Sequence, residues 1–218
     1  MHGPGAKMTN PDLSMEYELH QTGLEHIAGI DEAGRGAWAG PVVAAAVMLP
    51  LGSFDLAKQL NGVNDSKRMT SKQRSYWAEQ LREIATAIGI GASTHQEVDE
   101  LGLLPATRLA MKRSVDDLTL HPEFLLIDHI KLPELDQPQK SLSYGDARVL
   151  SIAAASIIAK VSRDSIMVDS EAQYPGYGFS RNKGYGTREH DIALQKLGPW
   201  SFHRYTYAPV AAYGITSN

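Results

Sequence analysis

The sequence contains no cysteine, so disulfide bonds and thiolate chemistry are excluded, and a reducing cytosol is compatible with the chain. No apolar run is long enough to span a bilayer, and the N-terminus lacks the apolar core of a signal peptide. We therefore expect a cytoplasmic protein that does not insert into membranes. The chain also lacks a net positive charge, since its net charge is -4. Any nucleic acid must therefore bind to a local basic patch.

The length of 218 residues suits one domain with a sizeable core. The first 20 residues are rich in glycine, proline and polar side chains, and we predict that they form a flexible tail. We assign residues 21–218 to a single domain. Strand-like and helix-like segments alternate along it without a repeat, which predicts the α/β class.

Two adjacent carboxylates interrupt the most apolar part of the N-terminal half. Residues 27–30 are apolar and end at Asp31 and Glu32; a glycine-rich turn follows, and residues 42–49 form a second apolar run. This pattern predicts a strand, a turn and a second strand. Buried carboxylates are unfavourable unless they are paired or bind a cation, so these two acids require an explanation.

Three explanations are open at this point. Asp and Gly are common in ordinary turns. The spacing of Gly34, Gly36 and Ala39 also matches a dinucleotide-binding fingerprint, but that motif must open a helix, and here Gly40-Pro41 and a strand-like run follow. The third explanation is a metal site that needs further carboxylates from elsewhere in the chain.

The remaining pattern predicts several helices and short strands. Thr70 and Gln73 form a capping box at the start of a helix, and Pro105 suits the first turn of another. We predict helices over 71–87, 95–101, 105–118, 149–168 and 187–197, and strands over 88–92, 124–127 and 141–144.

Further acids stand at the ends of two later segments. Asp128 ends the apolar run 124–127, and Asp146 follows the strand-like segment 141–144. Hard cations such as Mg²⁺ and Mn²⁺ take oxygen ligands. A two-metal phosphodiesterase needs several carboxylates that converge at one end of a sheet, with metals about 3.5–4 Å apart. The pattern is compatible with such a site, although convergence does not follow from the sequence.

Several long motifs resemble those of the type 2 ribonuclease H (ribonuclease HII) family, in that family's order. The resemblance runs from about residue 27 to residue 210, and the motifs are residues 29–36, 39–42, 64–67, 127–128, 145–146, 151–164, 183–187, 189–190 and 203–204. The resemblance implies a ribonuclease H-like mixed β-sheet flanked by helices, with a helical C-terminal extension. It also implies an endonuclease that hydrolyses the RNA strand of RNA/DNA hybrids and cuts 5′ of single ribonucleotides in duplex DNA, leaving a 3′-hydroxyl and a 5′-phosphate.

The resemblance also implies roles for individual residues. Two Mn²⁺ or Mg²⁺ ions would be held by four acids: Asp31, Glu32, Asp128 and Asp146. Backbone groups of Gly34, Arg35 and Gly36 would read the ribonucleotide 2′-hydroxyl. Tyr185 would pack on the sugar at the junction, and Ser66 and Lys67 would hold a phosphate. We expect a monomer; a sliding clamp is a conceivable partner, but residues 212–218 contain no convincing clamp-binding peptide.

Other functions are weighed against this one. The Gly-Arg-Gly and Gly-Tyr-Gly motifs argue against a junction resolvase of the same superfamily. A type 3 ribonuclease H normally carries an extra N-terminal domain, whereas 26 residues precede the first predicted strand. Loss of an acid would suggest a non-catalytic binding module, but all four acids are present. We interpret Asp65 as a turn or cap residue and Asp164 as a helix-surface or ion-pair residue. For His190 and His203 we favour a structural role over contact with substrate.

Overall fold

The computed structural model describes residues 10–214, in which a five-stranded mixed sheet forms the centre. Its strands are β1 (Ile27–Ala33), β2 (Val42–Met48), β3 (Ala87–Ser93), β4 (Phe124–Asp128) and β5 (Gln139–Leu142), in the order β3-β2-β1-β4-β5. The pairs β1–β2 and β2–β3 are antiparallel, whereas β1–β4 and β4–β5 are parallel. The carboxyl ends of β1, β4 and β5 therefore meet at one edge of the sheet.

Helices cover both faces of the sheet and form the C-terminal part. They are α1 (Ser14–His20), α2 (Leu56–Gln59), α3 (Ser71–Ile84), α4 (His95–Leu101), α5 (Leu103–Asp116), α6 (Leu150–Asp169), α7 (Phe179–Asn182), α8 (Arg188–Leu197) and α9 (Ala208–Ala211). The predicted capping box of Thr70 and Gln73 is present. The predicted α/β class and the helical C-terminal extension are confirmed. Within residues 10–214, none of the helices combines the length and apolarity needed to cross a membrane.

Alternation along β1 determines which helix each of its side chains meets. Ile27 belongs to the core under α6, and Ala28 and Ile30 belong to the core under α5. Because strand side chains alternate, Asp31 lies on the α6 side. The two elements are very close: a Cβ atom on Gly29 would stand 2.2 Å from the backbone of Ser151. This contact fixes α6 against β1, the strand that carries Asp31.

The predicted flexible tail is wrong for residues 12–20. Asp12 forms a bridge with Val149, Leu13 is buried, and α1 begins at Ser14. Glu16 is buried and accepts a hydrogen bond of 2.8 Å from the backbone N–H of Ser151 in α6. These contacts stabilise the segment through long-range packing, which its local composition does not reveal. Residues 1–9 lie outside the described residues, and the single domain over 21–218 stays a prediction.

Candidate active site

Three of the four predicted acids converge at the edge where the parallel strands end. Asp31 lies near the end of β1, Asp128 is the last residue of β4, and Asp146 lies in a 3₁₀ turn just before α6. One oxygen from each lies within 4.8 Å of the other two. The parallel register, in which Ile30 pairs with Ile127, places the first two acids side by side.

Burial makes this acid cluster unfavourable without a cation. Asp31 is 2% exposed and Asp146 is 4% exposed. Burial raises the pKa of Asp31 well above its ordinary value, and the charges of Glu32 and Asp128 raise it further. Burial, followed by the charge of Asp146, also raises the pKa of Asp128. Three converging carboxylates whose charges repel one another form an oxygen donor set that fits a hard divalent cation.

Glu32 stands beside this cluster and is not among its three members. Its Oε1 accepts a hydrogen bond of 3.3 Å from Nη1 of Arg35, and within the described residues its buried Oε2 has no hydrogen-bond partner. Burial raises the pKa of Glu32, Arg35 opposes this shift, and Asp128 adds to it. The unpartnered Oε2 is therefore a further oxygen donor next to the three converging acids.

Lys67 reaches the cluster from a short 3₁₀ helix, Ser66–Arg68. Asp65 caps that helix by accepting a hydrogen bond of 2.8 Å from the backbone of Lys67, as predicted. Ser66 is buried, and its backbone N–H donates to Oγ of Ser156 in α6. Nζ of Lys67 lies 3.1 Å from Oδ2 of Asp146. Burial lowers the pKa of this ammonium, but the carboxylates, above all Asp146, outweigh burial and raise it.

The glycine-rich turn contains two glycines with different environments. Gly34 has φ +95°, and a Cβ atom there would stand 1.9 Å from Nε of Arg163. Gly36 is exposed, and a Cβ atom there would meet nothing within 4 Å. The turn leads into β2 and not into a helix, so the dinucleotide-binding explanation is wrong. Gly36 offers an open backbone, whereas Gly34 is required by its conformation and packing.

Tyr185 lies beside this turn and is half-buried. Nζ of Lys160 and the guanidinium carbon of Arg163 lie 5.0 and 5.1 Å from its ring centroid. The backbone N–H of Trp38 donates to the carbonyl of Gly184 at 2.8 Å, which joins the turn to the segment that carries Tyr185. The predicted ion pair of Asp164 is present, with Lys160 as its partner at 2.7 Å.

The sequence makes Arg163 a candidate for a basic surface, gives Arg204 no role and leaves open how two histidines interact. Arg163 and Arg204 are completely buried, and both donate hydrogen bonds to carbonyls of residues 35–41. His190 and His203 are buried as well, and their Nε2 atoms lie 3.1 Å apart. All four residues lie within the family-like motifs, but nothing in their sequence pattern indicates which contacts they make.

The fold matches solved ribonuclease structures. The ribonuclease H2 from Pyrococcus horikoshii OT3 superposes with a TM-score of 0.72 at 23% identity, covering 86% of this chain and 96% of that one. The ribonuclease HII from Archaeoglobus fulgidus, solved in complex with PCNA, gives a TM-score of 0.70 at 25% identity over 84% and 95% of the two chains. With its converging carboxylates, the fold defines a ribonuclease H-like enzyme.

Sequence comparison gives the family. The ribonuclease HII family model matches residues 28–210. The ribonuclease HII of Desulfitobacterium hafniense strain Y51 is 51% identical over 198 residues, which are 91% of this chain and 74% of that protein. The chain therefore belongs to the ribonuclease HII family, as its motifs predicted. It is an endoribonuclease of the ribonuclease H type, from a family that depends on divalent metal and acts on RNA/DNA substrates.

Proposed function

We propose that this chain hydrolyses the RNA strand of RNA/DNA hybrids and also cuts 5′ of single ribonucleotides embedded in duplex DNA. The observation that carries the proposal is the convergence of Asp31, Asp128 and Asp146 beside a turn with an open backbone at Gly36. A carboxylate cluster suits phosphodiester hydrolysis assisted by metal ions. An accessible backbone at close range suits recognition of a small group such as a 2′-hydroxyl.

The acids Asp31, Asp128 and Asp146 would hold Mn²⁺ or Mg²⁺, with Oε2 of Glu32 as a further ligand. Such ions, when bound, supply Lewis-acid activation of water and stabilise charge on the leaving oxygen. In the reaction the oxygen of water bonds to phosphorus and the bond from phosphorus to O3′ breaks. The products are a 3′-hydroxyl on the upstream strand and a 5′-phosphate on the ribonucleotide.

The same face of the molecule would select the ribonucleotide. Only the 2′-hydroxyl distinguishes RNA from DNA at one position. Backbone groups of Gly34, Arg35 and Gly36 would contact it, and the flat face of Tyr185 would pack on the neighbouring sugar. Ser66 and Lys67 would hold a phosphate, with the Lys67 ammonium acting as a point charge. A phosphate contact of this kind positions the duplex without reading its base sequence.

The cellular proposals follow from this substrate. An enzyme of this specificity would remove primer RNA and misincorporated ribonucleotides during DNA replication and repair in the cytoplasm, acting as a monomer. The Archaeoglobus fulgidus relative was solved in complex with PCNA, and this supports a sliding clamp as a partner.

A cleavage assay tests the proposed function. The substrates are a DNA duplex with one ribonucleotide, a long RNA/DNA hybrid and an all-DNA duplex, each with and without Mn²⁺ or Mg²⁺. Wild type is compared with Asp31→Asn and with Asp116→Asn, a control on the exposed end of α5. We expect metal-dependent cutting 5′ of the ribonucleotide by wild type and the control, and none by Asp31→Asn.

Other outcomes would change the proposal in defined ways. Cutting of long hybrids without cutting at a single ribonucleotide would keep the metal centre and overturn the roles of Gly36 and Tyr185 in recognising an isolated 2′-hydroxyl. Cutting of neither substrate by pure, folded protein would overturn the proposed function. Unchanged cutting by Asp31→Asn would remove that acid from the site.

A further inference from the structure

Arg163 is a buried cation without a buried anion to match it. Its side chain is 0% exposed, and within residues 10–214 no carboxylate oxygen lies within 4.0 Å of its guanidinium. Burial lowers its pKa to about 10, so the group remains charged at neutral pH. The nearest acid in the chain, Asp164, pairs with Lys160 instead. A buried charge is unfavourable unless its donors are satisfied, so its hydrogen bonds determine what it does.

Those hydrogen bonds join two segments that are far apart in the sequence. Nε donates to the carbonyl of Pro41 at 2.9 Å, and Nη2 donates to the carbonyl of Ala39 at 3.1 Å. Nη1 donates to the carbonyl of Lys183 at 2.9 Å. Lys183 has φ +54°, an unusual conformation for a residue with a side chain. One guanidinium therefore holds the end of the glycine-rich turn and the residue two positions before Tyr185.

The same side chain also touches the two groups proposed to read the ribonucleotide. It fills the space that a side chain at position 34 would need, so it packs directly on Gly34. Its guanidinium also lies 5.1 Å from the ring centroid of Tyr185, within the range of a cation–π interaction. Arg163 is thus in contact with both elements, although it lies beneath them and is not accessible to a substrate.

A second buried arginine, Arg204, also holds the turn. Arg204 donates to the carbonyl of Gly40 through Nε and Nη2, at 3.0 and 2.8 Å, and to the carbonyl of Arg35 through Nη1, at 2.9 Å. Unlike Arg163, it has no hydrogen bond to residues 183–187 within the part of the chain that the structure describes. Arg204 stabilises the turn itself, whereas Arg163 sets the distance between the turn and Tyr185.

We infer that Arg163 is a positioning residue for ribonucleotide recognition, which holds the glycine-rich turn and Tyr185 at the separation needed to contact one nucleotide together. This inference rests on the proposed function. The geometry requires arginine, because a rigid planar fork donates in three fixed directions, whereas lysine offers one flexible ammonium. A displacement of about 1 Å between recognition groups and the reacting phosphate is enough to lower the rate about 100-fold.

A double-mutant cycle tests coupling between Arg163 and Tyr185. Cleavage of duplex DNA carrying one ribonucleotide is measured for wild type, Arg163→Lys, Tyr185→Ala and the double variant. We expect Arg163→Lys to lower kcat/KM about 10- to 100-fold in the wild-type background. In the Tyr185→Ala background we expect Arg163→Lys to lower kcat/KM by a factor at least about 5 times smaller than in wild type. The reason is that Tyr185, one of the two groups that Arg163 positions, is then absent.

Controls separate positioning from general loss of structure. Arg113→Lys also changes an arginine that donates to a backbone carbonyl, that of Ala92, but on the edge strand β3 and not in the turn, and we expect it to match wild type. Mn²⁺ affinity measured by calorimetry should be unchanged in Arg163→Lys, since the acids do not contact it. If Arg163→Lys is unfolded at the assay temperature, Arg163→Gln, which keeps a donor and removes the charge, replaces it in the cycle.

Each outcome decides the inference. Equal losses in both backgrounds, or no loss from Arg163→Lys, would overturn it, since the residue would then act independently of Tyr185. Failure of the proposed function is visible earlier, in wild type alone. If wild type cuts long hybrids and not single ribonucleotides, the same double-mutant cycle is measured on the long hybrid, and its coupling between Arg163 and Tyr185 supports or overturns the inference. If wild type cuts neither substrate, both the proposed function and this inference are wrong.

Discussion

Nζ of Lys67 lies 3.1 Å from Oδ2 of Asp146, and the two side chains differ greatly in exposure, at 74% and 6%. The ammonium therefore reaches from solvent to a carboxylate that belongs to the candidate metal centre. The same carboxylate is one of the three that would hold a divalent cation. Lys67 would pair with Asp146 when no metal is bound, and would be free to hold a phosphate when metal and substrate are present.

This pairing predicts opposite effects of one substitution on metal and on substrate. Lys67→Met removes the competing ammonium, so we expect Mg²⁺ or Mn²⁺ to bind about 2- to 5-fold more tightly without substrate, as measured by calorimetry. Cleavage of a ribonucleotide-containing duplex should nevertheless fall, mainly through KM, because a phosphate contact is lost. Lys67→Arg, which keeps the charge, serves as the control. Metal affinity that is unchanged or weaker in Lys67→Met would contradict the competition.

Asp31→Asn should increase the stability of the metal-free protein although it removes a proposed metal ligand. The buried Asp31 carboxylate is disfavoured by burial and by its charged neighbours, so without metal we expect the amide variant to be more stable, by about 1 kcal/mol. Saturating Mg²⁺ should stabilise wild type by binding to the folded state and should stabilise the variant much less. Thermal unfolding with and without metal measures both effects. An equal shift by metal in both proteins would place the cation elsewhere.

Local chemistry explains why much of the fold could be predicted from the sequence. Thr70 with Gln73 marks the start of α3, because a capping box satisfies free N–H groups within three residues. Strand β1 could be predicted because a short apolar run is followed by acids and glycines. These signals depend on residues that are neighbours along the chain, so they can be recognised in the sequence without knowledge of the tertiary structure.

The remaining features depend on contacts between distant segments. Nothing near Asp128 indicates that β4 pairs in parallel with β1, yet this pairing brings Asp128 beside Asp31. Arg163 lies in the polar end of a predicted helix and would ordinarily be in solvent; it is buried because Lys183 and the glycine-rich turn cover it. The family-like motifs pointed to the acids, but they do not describe these physical contacts.

Gly34 and Gly36 should respond differently to the same substitution. Gly34→Ala places a Cβ against Arg163 at φ +95°, so we expect it to lower the free energy of unfolding by at least about 1–3 kcal/mol. Gly36→Ala meets nothing within 4 Å, so stability should change by less than about 1 kcal/mol. Cleavage at a single ribonucleotide should still fall in Gly36→Ala, because the added methyl group occupies the open side of the turn. Urea unfolding and the cleavage assay measure the two effects, and full activity of Gly36→Ala would remove this position from the recognition surface.

Glu16 gives a test of how the N-terminal segment stabilises α6. Its Oε1 accepts the hydrogen bond from Ser151 N–H, and burial raises its pKa above the ordinary value. The unfolded carboxyl therefore loses its proton at a lower pH than the folded one, so the penalty for the buried charge grows as pH rises through the window between the two pKa values. Glu16→Gln keeps the acceptor and removes the charge, and we expect its stability relative to wild type to increase between pH 4 and pH 8, by about 1.4 kcal/mol for each unit by which burial raises the pKa.

Glu16→Ala completes this comparison, because it removes both the charge and the acceptor for the first turn of α6. We expect it to be less stable than Glu16→Gln by about 1 kcal/mol at every pH, the usual effect of losing a helix cap. Urea unfolding of the three proteins measures these differences. A Glu16→Gln variant whose advantage does not change with pH would show that Glu16 carries no raised pKa. Equal stability of the Gln and Ala variants would show that the hydrogen bond to Ser151 does not hold the segment on α6.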